Sequence, residues 1–224
     1  MLNIFMGFDS REVEAYHVAA YSIIRRASLP VCITPLVLPH LRPIMDRPVE
    51  TRDGKLWCPV SDAPMSTEFA NTRFVVPLLQ KEGWALFVDS DILCQADIAN
   101  LFGLADDKYA VMVCRHQQAD GTTTKMDGQI QTWYARKNWS SLVLWNCGHP
   151  ANRRITKEVL ETWPGRYLHQ FRWLDDEHIG NIDLTWNWLV GTYKAKADAK
   201  ILHFTAGGPW FDAYCNCEHS DLWR

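Results

Sequence analysis

The chain has 224 residues, 47% hydrophobic and 22% charged, with 23 Lys and Arg against 26 Asp and Glu for a net charge of −3. These values exclude wholesale disorder and offer no basic surplus of the kind that marks a nucleic-acid binder. No apolar run approaches the ~20 residues that cross a bilayer, and a chain of this size can bury a core without disulfides or a structural metal.

Leu2 to Met6 reads as a first strand, and Gly7-Phe8-Asp9-Ser10 as a turn. Asp9 or Ser10 can cap a helix from Arg11 to Ser28, with Val13, His17, Ala20 and Ile24 on one face. Val31 to Leu38 reads as a second strand, and Pro35 within it indicates an edge or a bulge. Residues 39–66 are rich in Pro and charge without periodicity, which predicts a long functional loop. Thr67 to Lys81 reads as a helix interrupted near Pro77. Trp84 to Val88 is a buried strand that runs directly into Asp89-Ser90-Asp91. Ala96 to Leu104 reads as a helical turn, Tyr109 to Cys114 as a strand, and residues 115–139 as a loop or small hairpin over the site. Ser141 to Trp145 follows as a strand, Pro150 to Trp163 as an amphipathic helix and Asp175 to Gly180 as a short helix. Lys200 to Phe204 is the last strand, before the Gly207-Gly208-Pro209 turn and an aromatic tail.

Strands alternating with helices imply an α/β fold with a twisted mixed sheet flanked by helices and ligands at the carboxyl ends of strands. One domain is expected, in two halves of residues 1–115 and 116–224. Seven cysteines at irregular spacing read as free thiols in a reducing compartment. The N-terminus lacks a visible secretory signal, so the expected location is cytoplasmic, and the Asn138-Trp139-Ser140 sequon carries no weight there. Eleven tryptophans give a lean towards a sugar or nucleotide ligand; Trp133, Trp139, Trp210 and Trp223 are candidates for an acceptor wall, with packing as the alternative for each.

Phe87-Val88-Asp89-Ser90-Asp91 carries the chemistry. Two carboxylates spaced i, i+2 at a strand end point the same way, and such a pair can hold Mg²⁺ or Mn²⁺ against phosphate oxygens. A solvated turn is the alternative. So is a metal-dependent phosphatase using Asp89 as nucleophile, although Leu93 stands where that pattern wants Thr or Val.

The flanking segments resemble a retaining GT-A glycosyltransferase of the glycogenin and lipopolysaccharide-galactosyltransferase type (family 8-like). Met6-Gly7-Phe8-Asp9-Ser10-Arg11-Glu12 resembles its opening and Asp89-Ser90-Asp91 its metal motif, with Arg73 upstream. Ser140 to Asn146 resembles its central strand, Asp175-Asp176-Glu177-His178 its acidic segment beside the sugar, and His203 to Trp210 its late histidine motif. The resemblance implies a GT-A fold, a UDP-sugar donor, retained anomeric configuration and a hydroxyl acceptor such as a saccharide or glycolipid. It implies that Asp89, Asp91 and His203 hold Mn²⁺ or Mg²⁺, and that Gly7, Phe8 and Asp9 meet the base. Arg11, Arg73, Ser90, Gly207 and Gly208 are then nucleotide contacts. Asp176 holds sugar hydroxyls and Glu177 lies nearest the anomeric carbon. The chain departs from the pattern at Gly208, where many relatives carry Lys, and at Ser140-Ser141, where Asn-Ala is common. A non-catalytic nucleotide-sugar-binding module is a further alternative. Cys215, Cys217 and His219 offer three zinc donors, but at a spacing unlike common fingers.

Overall fold

The computed structural model describes residues 1–117, 123–125, 129–131 and 135–224. β1 (Leu2–Gly7) leads into α1 (Val13–Arg26) and β2 (Val31–Leu36). A 3-10 turn (Leu38–Leu41) and three short strands follow: β3 (Glu50–Arg52), β4 (Lys55–Cys58) and β5 (Ala63–Pro64). The 3-10 turn Thr72–Val75 runs into α2 (Val76–Leu79), then β6 (Trp84–Val88), β7 (Ile92–Cys94), α3 (Ala99–Phe102) and β8 (Val111–Cys114). β9 (Thr123–Lys125) and β10 (Gln129–Gln131) pair as an antiparallel hairpin. The chain continues through β11 (Leu142–Asn146), α4 (Lys157–Thr162), α5 (Gly165–His169), β12 (Ile179–Ile182), β13 (Trp188–Leu189), β14 (Ile201–His203) and α6 (Ser220–Trp223).

The main sheet has the order β12-β8-β11-β6-β1-β2. β2, β1 and β6 are parallel, and β11 runs antiparallel between β6 and β8. Side chains alternate across the central strands as the pleat requires. Phe5, Phe87, Val113, Val143 and Trp145 enter one core with Phe74, Phe171 and Trp173. Ile4, Leu86, Val88, Met112 and Leu144 enter the other with Ala19 and Ile23 of α1. Trp145 and Trp173 stack with ring centres 6.0 Å apart. A second sheet, β13-β14-β7, sits over a smaller core of Leu93, Leu202 and Phe204.

The sequence-based elements hold best for the buried strands and worst where propensity alone carried them. α1 buries Ala15, Ala19, Ser22 and Ile23, whereas Val13 and Ile24 are exposed. The small residues let the helix approach the sheet, which outweighs the bulkier stripe. Neither Asp9 nor Ser10 caps it; Glu12 occupies that position and its side chain does not cap the helix. Residues 39–66 are not a structureless loop but carry β3–β5 and a 3-10 turn. The helix expected from Pro150 to Trp163 breaks at Ile155, because Thr156 Oγ1 accepts from Val159 N (3.2 Å) and restarts the chain as α4. Pro35 lies in edge strand β2, as expected. No helix among the described residues is long and apolar enough to cross a membrane.

Gly7, the last residue of β1, has a packing requirement. A Cβ there would lie 2.4 Å from the buried Phe69 ring. Gly7→Ala should therefore destabilise the fold by about 1–3 kcal/mol. In denaturant titrations, Gly7→Ala combined with Phe69→Leu should cost less than the sum of the two single changes; simple additivity would refute a steric origin.

Candidate functional site

β6 ends at the sheet's carboxyl edge, and β7 begins one turn later. Asp89 N donates to Ser141 O (3.0 Å), which ties the turn to β11. β14 pairs antiparallel with β7, with His203 opposite Ile92, and Phe204 N donates to Asp91 O (2.8 Å). This register brings a histidine distant in sequence alongside the two aspartates. His203 Nε2 lies 3.0 Å from Asp91 Oδ1 and 4.0 Å from Asp89 Oδ2. One donor atom from each of the three residues falls within 4.8 Å of the others. All three are buried, at 8%, 6% and 1% exposure for Asp89, Asp91 and His203.

Two carboxylates this close and this dry need positive charge. Arg73 supplies some of it. Its Nη1 lies 2.9 Å from Asp89 Oδ1 and donates to Ser140 O (2.9 Å), and its Nε donates to Ala70 O (3.1 Å). The guanidinium sits against the Phe69 and Phe87 rings, 5.4 and 5.1 Å from their centres. His203 Nε2 makes no hydrogen bond, so its 3.0 Å approach to Asp91 lacks hydrogen-bond geometry. Close donor atoms without a proton bond suit a divalent cation, and carboxylate with imidazole is a donor set for Mn²⁺ or, less selectively, Mg²⁺.

The aspartates open onto a cleft. One wall is Cys58, Ser61, Pro64 and Met65 from β4, β5 and their connections; the other is Lys137, Asn138, Arg166 and His169. Buried Arg47 fixes the first wall. It donates to Leu160 O (2.7 Å), Trp163 O (2.8 Å), Ser61 Oγ (2.9 Å) and Cys58 Sγ (3.2 Å). Burial pushes the Cys58 thiol up, but its bonds to Ser61 and Arg47 outweigh this and hold it below its ordinary value. His169 Nδ1 lies 2.7 Å from Ser140 Oγ, and complete burial together with nearby Arg73 and Arg47 keeps this ring neutral. Sequence reasoning missed Arg47, Lys137 and His169, because a lone basic residue outside any motif reads as surface charge.

The structure places the other expected residues variously. Phe8 packs edge-on against Tyr16, with centres 5.5 Å apart. Asp9 is fully buried and its carboxylate is taken up by Arg11 and the backbone. Arg11 Nε reaches Oδ1 (2.9 Å), Arg11 Nη2 reaches Oδ2 (2.7 Å), and Glu68 N donates to Oδ2 (3.1 Å). Arg11 Nη2 also donates to Ser66 O (2.8 Å), so this pair clamps the cleft's 66–68 edge. Ser90 is fully buried with an unpartnered hydroxyl. Gly207, at φ 121°, and Gly208 make room for aromatic rings. Cβ atoms there would lie 2.9 Å from Tyr214 and 2.0 Å from Trp210.

Asp176 and Glu177 are not brought to the cluster. They lie in an exposed 3-10 turn (Asp176–His178) ahead of β12. Ile179 pairs with Val111, Val111 with Trp145, and Trp145 with Ala85. The acidic segment thus enters at the amino-terminal level of β6, about 13 Å along the strand from Asp89 and three strands, about 14 Å, across. Asp176 pairs instead with Arg136, and Asp175 faces Arg154 at 3.7 Å. The sequence motif was in the right order, but only His178 separates Glu177 from β12, and no helix longer than that 3-10 turn intervenes to carry the acids back to the carboxyl edge.

Trp139 lies between Arg115 and Arg136 and donates from Nε1 to His116 O (3.0 Å). Trp210 and Trp223 pack on each other, with centres 5.5 Å apart. Trp133 lies outside the described residues. Among the described residues, Cys215, Cys217 and His219 form no metal-binding group; Asp89, Asp91 and His203 do.

No protein-family model matches the chain. Among solved structures, the bifunctional glycosyltransferase WbbM superposes with a TM-score of 0.62 at 16% identity, over 99% of this chain and 48% of that one. The glycosyltransferase GlyE of Streptococcus pneumoniae gives 0.63 at 14% identity, over 99% and 59%. The chain thus spans about half the length of these two structures. The galactosyltransferase LgtC, solved with donor and acceptor sugar analogs, gives 0.54 at 11% identity, over 99% and 94%. The architecture is therefore the GT-A fold, a twisted mixed sheet flanked by helices. In sequence, Protein CDI of Arabidopsis thaliana is 46% identical over 226 residues, which span 98% of this chain and 83% of that protein. At that identity and coverage, the chain belongs to the family of Protein CDI.

Proposed function

We propose that this chain is a metal-dependent glycosyltransferase that moves a hexose from a UDP-linked donor to a hydroxyl acceptor, a saccharide or glycolipid, with retained configuration. The observation that carries this reading is the convergence of Asp89, Asp91 and His203 at the carboxyl edge of a GT-A sheet, beside an open cleft. Bound Mn²⁺ or Mg²⁺ supplies Lewis-acid stabilisation of the charge that grows on a departing diphosphate.

The chain's own residues do the rest. Asp89, Asp91 and His203 offer the donor atoms, and Arg73 holds Asp89 in place through a 2.9 Å ion pair to Oδ1. Lys137, 8% exposed, lines the same cleft and brings positive charge to where the diphosphate lies, a role that Gly208 cannot fill. Gly7, Phe8 and Asp9 form the base end; Asp9 acts there through its clamp with Arg11 on the 66–68 edge. The β4–β5 wall and α5 flank the sugar and limit water access. Asp89 and Asp91 are the carboxylates among the described lining residues, and both belong to the metal set. This favours acceptor attack on the face the diphosphate leaves, over a covalent carboxylate intermediate. The seven cysteines are free, which suits a reducing, cytoplasmic setting, and burial pushes Cys94 up to about 11 and Cys147 to about 12, so those two are inert thiols.

Asp91→Asn should lower donor turnover by at least about 100-fold. Because it relieves repulsion between buried carboxylates, its metal-free form should melt no lower than the parent. Normal turnover in a folded variant would remove the metal assignment. Offered a panel of nucleotide sugars with Mn²⁺, the protein should release UDP from a UDP-hexose and lose this activity to a chelator. Turnover that survives chelation, or phosphate release from simple monoesters, would count against the proposal.

A further inference from the structure

We infer that Asn187 is the positioning residue of the cation site: held by Ser141 and His116, it fixes which nitrogen of His203 carries the proton and aims the other at the two aspartates. This rests on the reading of Asp89, Asp91 and His203 as metal ligands.

Asn187 is fully buried and ends the 3-10 turn Leu184–Asn187, which Asp183 starts by accepting from Thr185 N (2.9 Å). The next residues form β13, which pairs with β14 and sets Leu189 opposite His203. The Asn187 amide therefore lies beside the imidazole. Its Oδ1 is 2.8 Å from His203 Nδ1, and its Nδ2 is 2.8 Å from Ser141 Oγ and 3.0 Å from His116 Nε2.

Proton counting fixes the directions. The Ser141 hydroxyl has one proton and donates it to Asn138 O (2.7 Å), so towards Asn187 it can only accept. The amide nitrogen must therefore face Ser141, and its second proton meets His116 Nε2. His116 is buried beside Tyr193, with Nδ1 2.9 Å from the Tyr193 hydroxyl, and burial together with nearby His203 pushes its pKa down to about 3. It is a neutral ring that accepts at Nε2 and donates at Nδ1. What remains of the Asn187 amide is its oxygen, which requires a proton on His203 Nδ1. The lone pair of His203 is then at Nε2, 3.0 Å from Asp91 Oδ1, where it can coordinate a cation. A His203 protonated only at Nε2 would set its Nδ1 lone pair against the amide oxygen at 2.8 Å. The network also absorbs Ser141, one of the two serines at which the sequence departs from its resemblance.

The test is binding of the metal alone, Mn²⁺ by electron paramagnetic resonance and Mg²⁺ by calorimetry, without donor or acceptor. Asn187→Ala should weaken Mn²⁺ by about 10–100-fold, the usual cost of losing a partner behind a metal-bound histidine. Mg²⁺ relies less on imidazole, so its affinity should fall less and the Mn²⁺ preference should narrow. Asn187→Asp keeps the acceptor for Nδ1–H and should retain more Mn²⁺ affinity than Asn187→Ala. A folded Asn187→Ala protein with unchanged Mn²⁺ affinity, or with equal losses for both ions, would overturn the inference. Should that variant fail to fold, Ser141→Ala removes the group that directs the amide while leaving Asn187 in place. Unchanged Mn²⁺ affinity there would overturn it equally. If the parent protein binds no Mn²⁺, the cation reading itself fails, and this inference with it, an outcome distinct from a parent that binds and variants that match it.

Discussion

Asp89 and Asp91 place two carboxylates in a site that is almost dry, and each would be far more stable in water. Two like charges about 4 Å apart at an effective dielectric of 20 repel by about 4 kcal/mol. The surroundings are arranged around that repulsion. Arg73 spans Asp89, the 70 carbonyl and the 140 carbonyl, so that the 72–75 turn and the start of β11 are both drawn to the carboxylates. The rings of Phe69 and Phe87 cover the guanidinium and keep water from weakening the pair. The Phe69 ring crosses the end of β1, which can carry no side chain there. A chain of contacts thus runs from the charge cluster to the first strand of the sheet.

This arrangement bears on the choice between chemistries. A carboxylate that serves as a nucleophile must present an oxygen to its substrate. Asp89 instead gives Oδ1 to Arg73, while Oδ2 faces His203. That geometry suits a ligand held in place, and it disfavours the phosphatase in which Asp89 attacks phosphorus. The acidic pair also shares its ion partner asymmetrically. Asp89 is steadied by arginine, whereas Asp91 is steadied through its own backbone, whose carbonyl accepts from Phe204 N beside His203. The histidine and the second aspartate are therefore fixed by one strand pairing.

What could be read from the sequence follows the same physics. Trp84 to Val88 is an unbroken apolar run that burial on both faces demands, and the structure has β6 at those residues. Polar residues directly after such a run can only sit at the strand's end, so the Asp89-Asp91 pair was legible as a unit. His203 was legible only through the resemblance of its segment to a late histidine motif, since a histidine that ends a buried strand is ordinarily just hydrogen-bonded. The three short strands in 39–66 were not. β3 and β4 pair locally across Asp53-Gly54, a hairpin signal that the surrounding prolines and charges outweighed, and Arg47, which fixes the wall, acts through four partners scattered from residue 58 to residue 163. Asn187 sits between two tryptophans and shows no sign in the sequence of its three buried hydrogen bonds.

The acidic segment shows where motif order stops being informative. Asp176 and Glu177 follow the expected sequence, yet position in a sheet is set by how many residues separate a motif from its strand. His178 O is already bonded to Ala110 N, so β12 pairing begins immediately after Glu177. With no intervening helix, the acids stay at the edge where the strand begins, and ligands in such sheets bind at the other. Asp183, at the far end of β12, is on the ligand side but spends its carboxylate on Thr185 to start the turn that delivers Asn187. The segment that supplies acids in the resembling family here supplies, a few residues later, the amide that holds the histidine. Among the described residues the cleft then offers two carboxylates, both belonging to the cluster with His203, and the basic side chains of Arg73, Lys137 and Arg166.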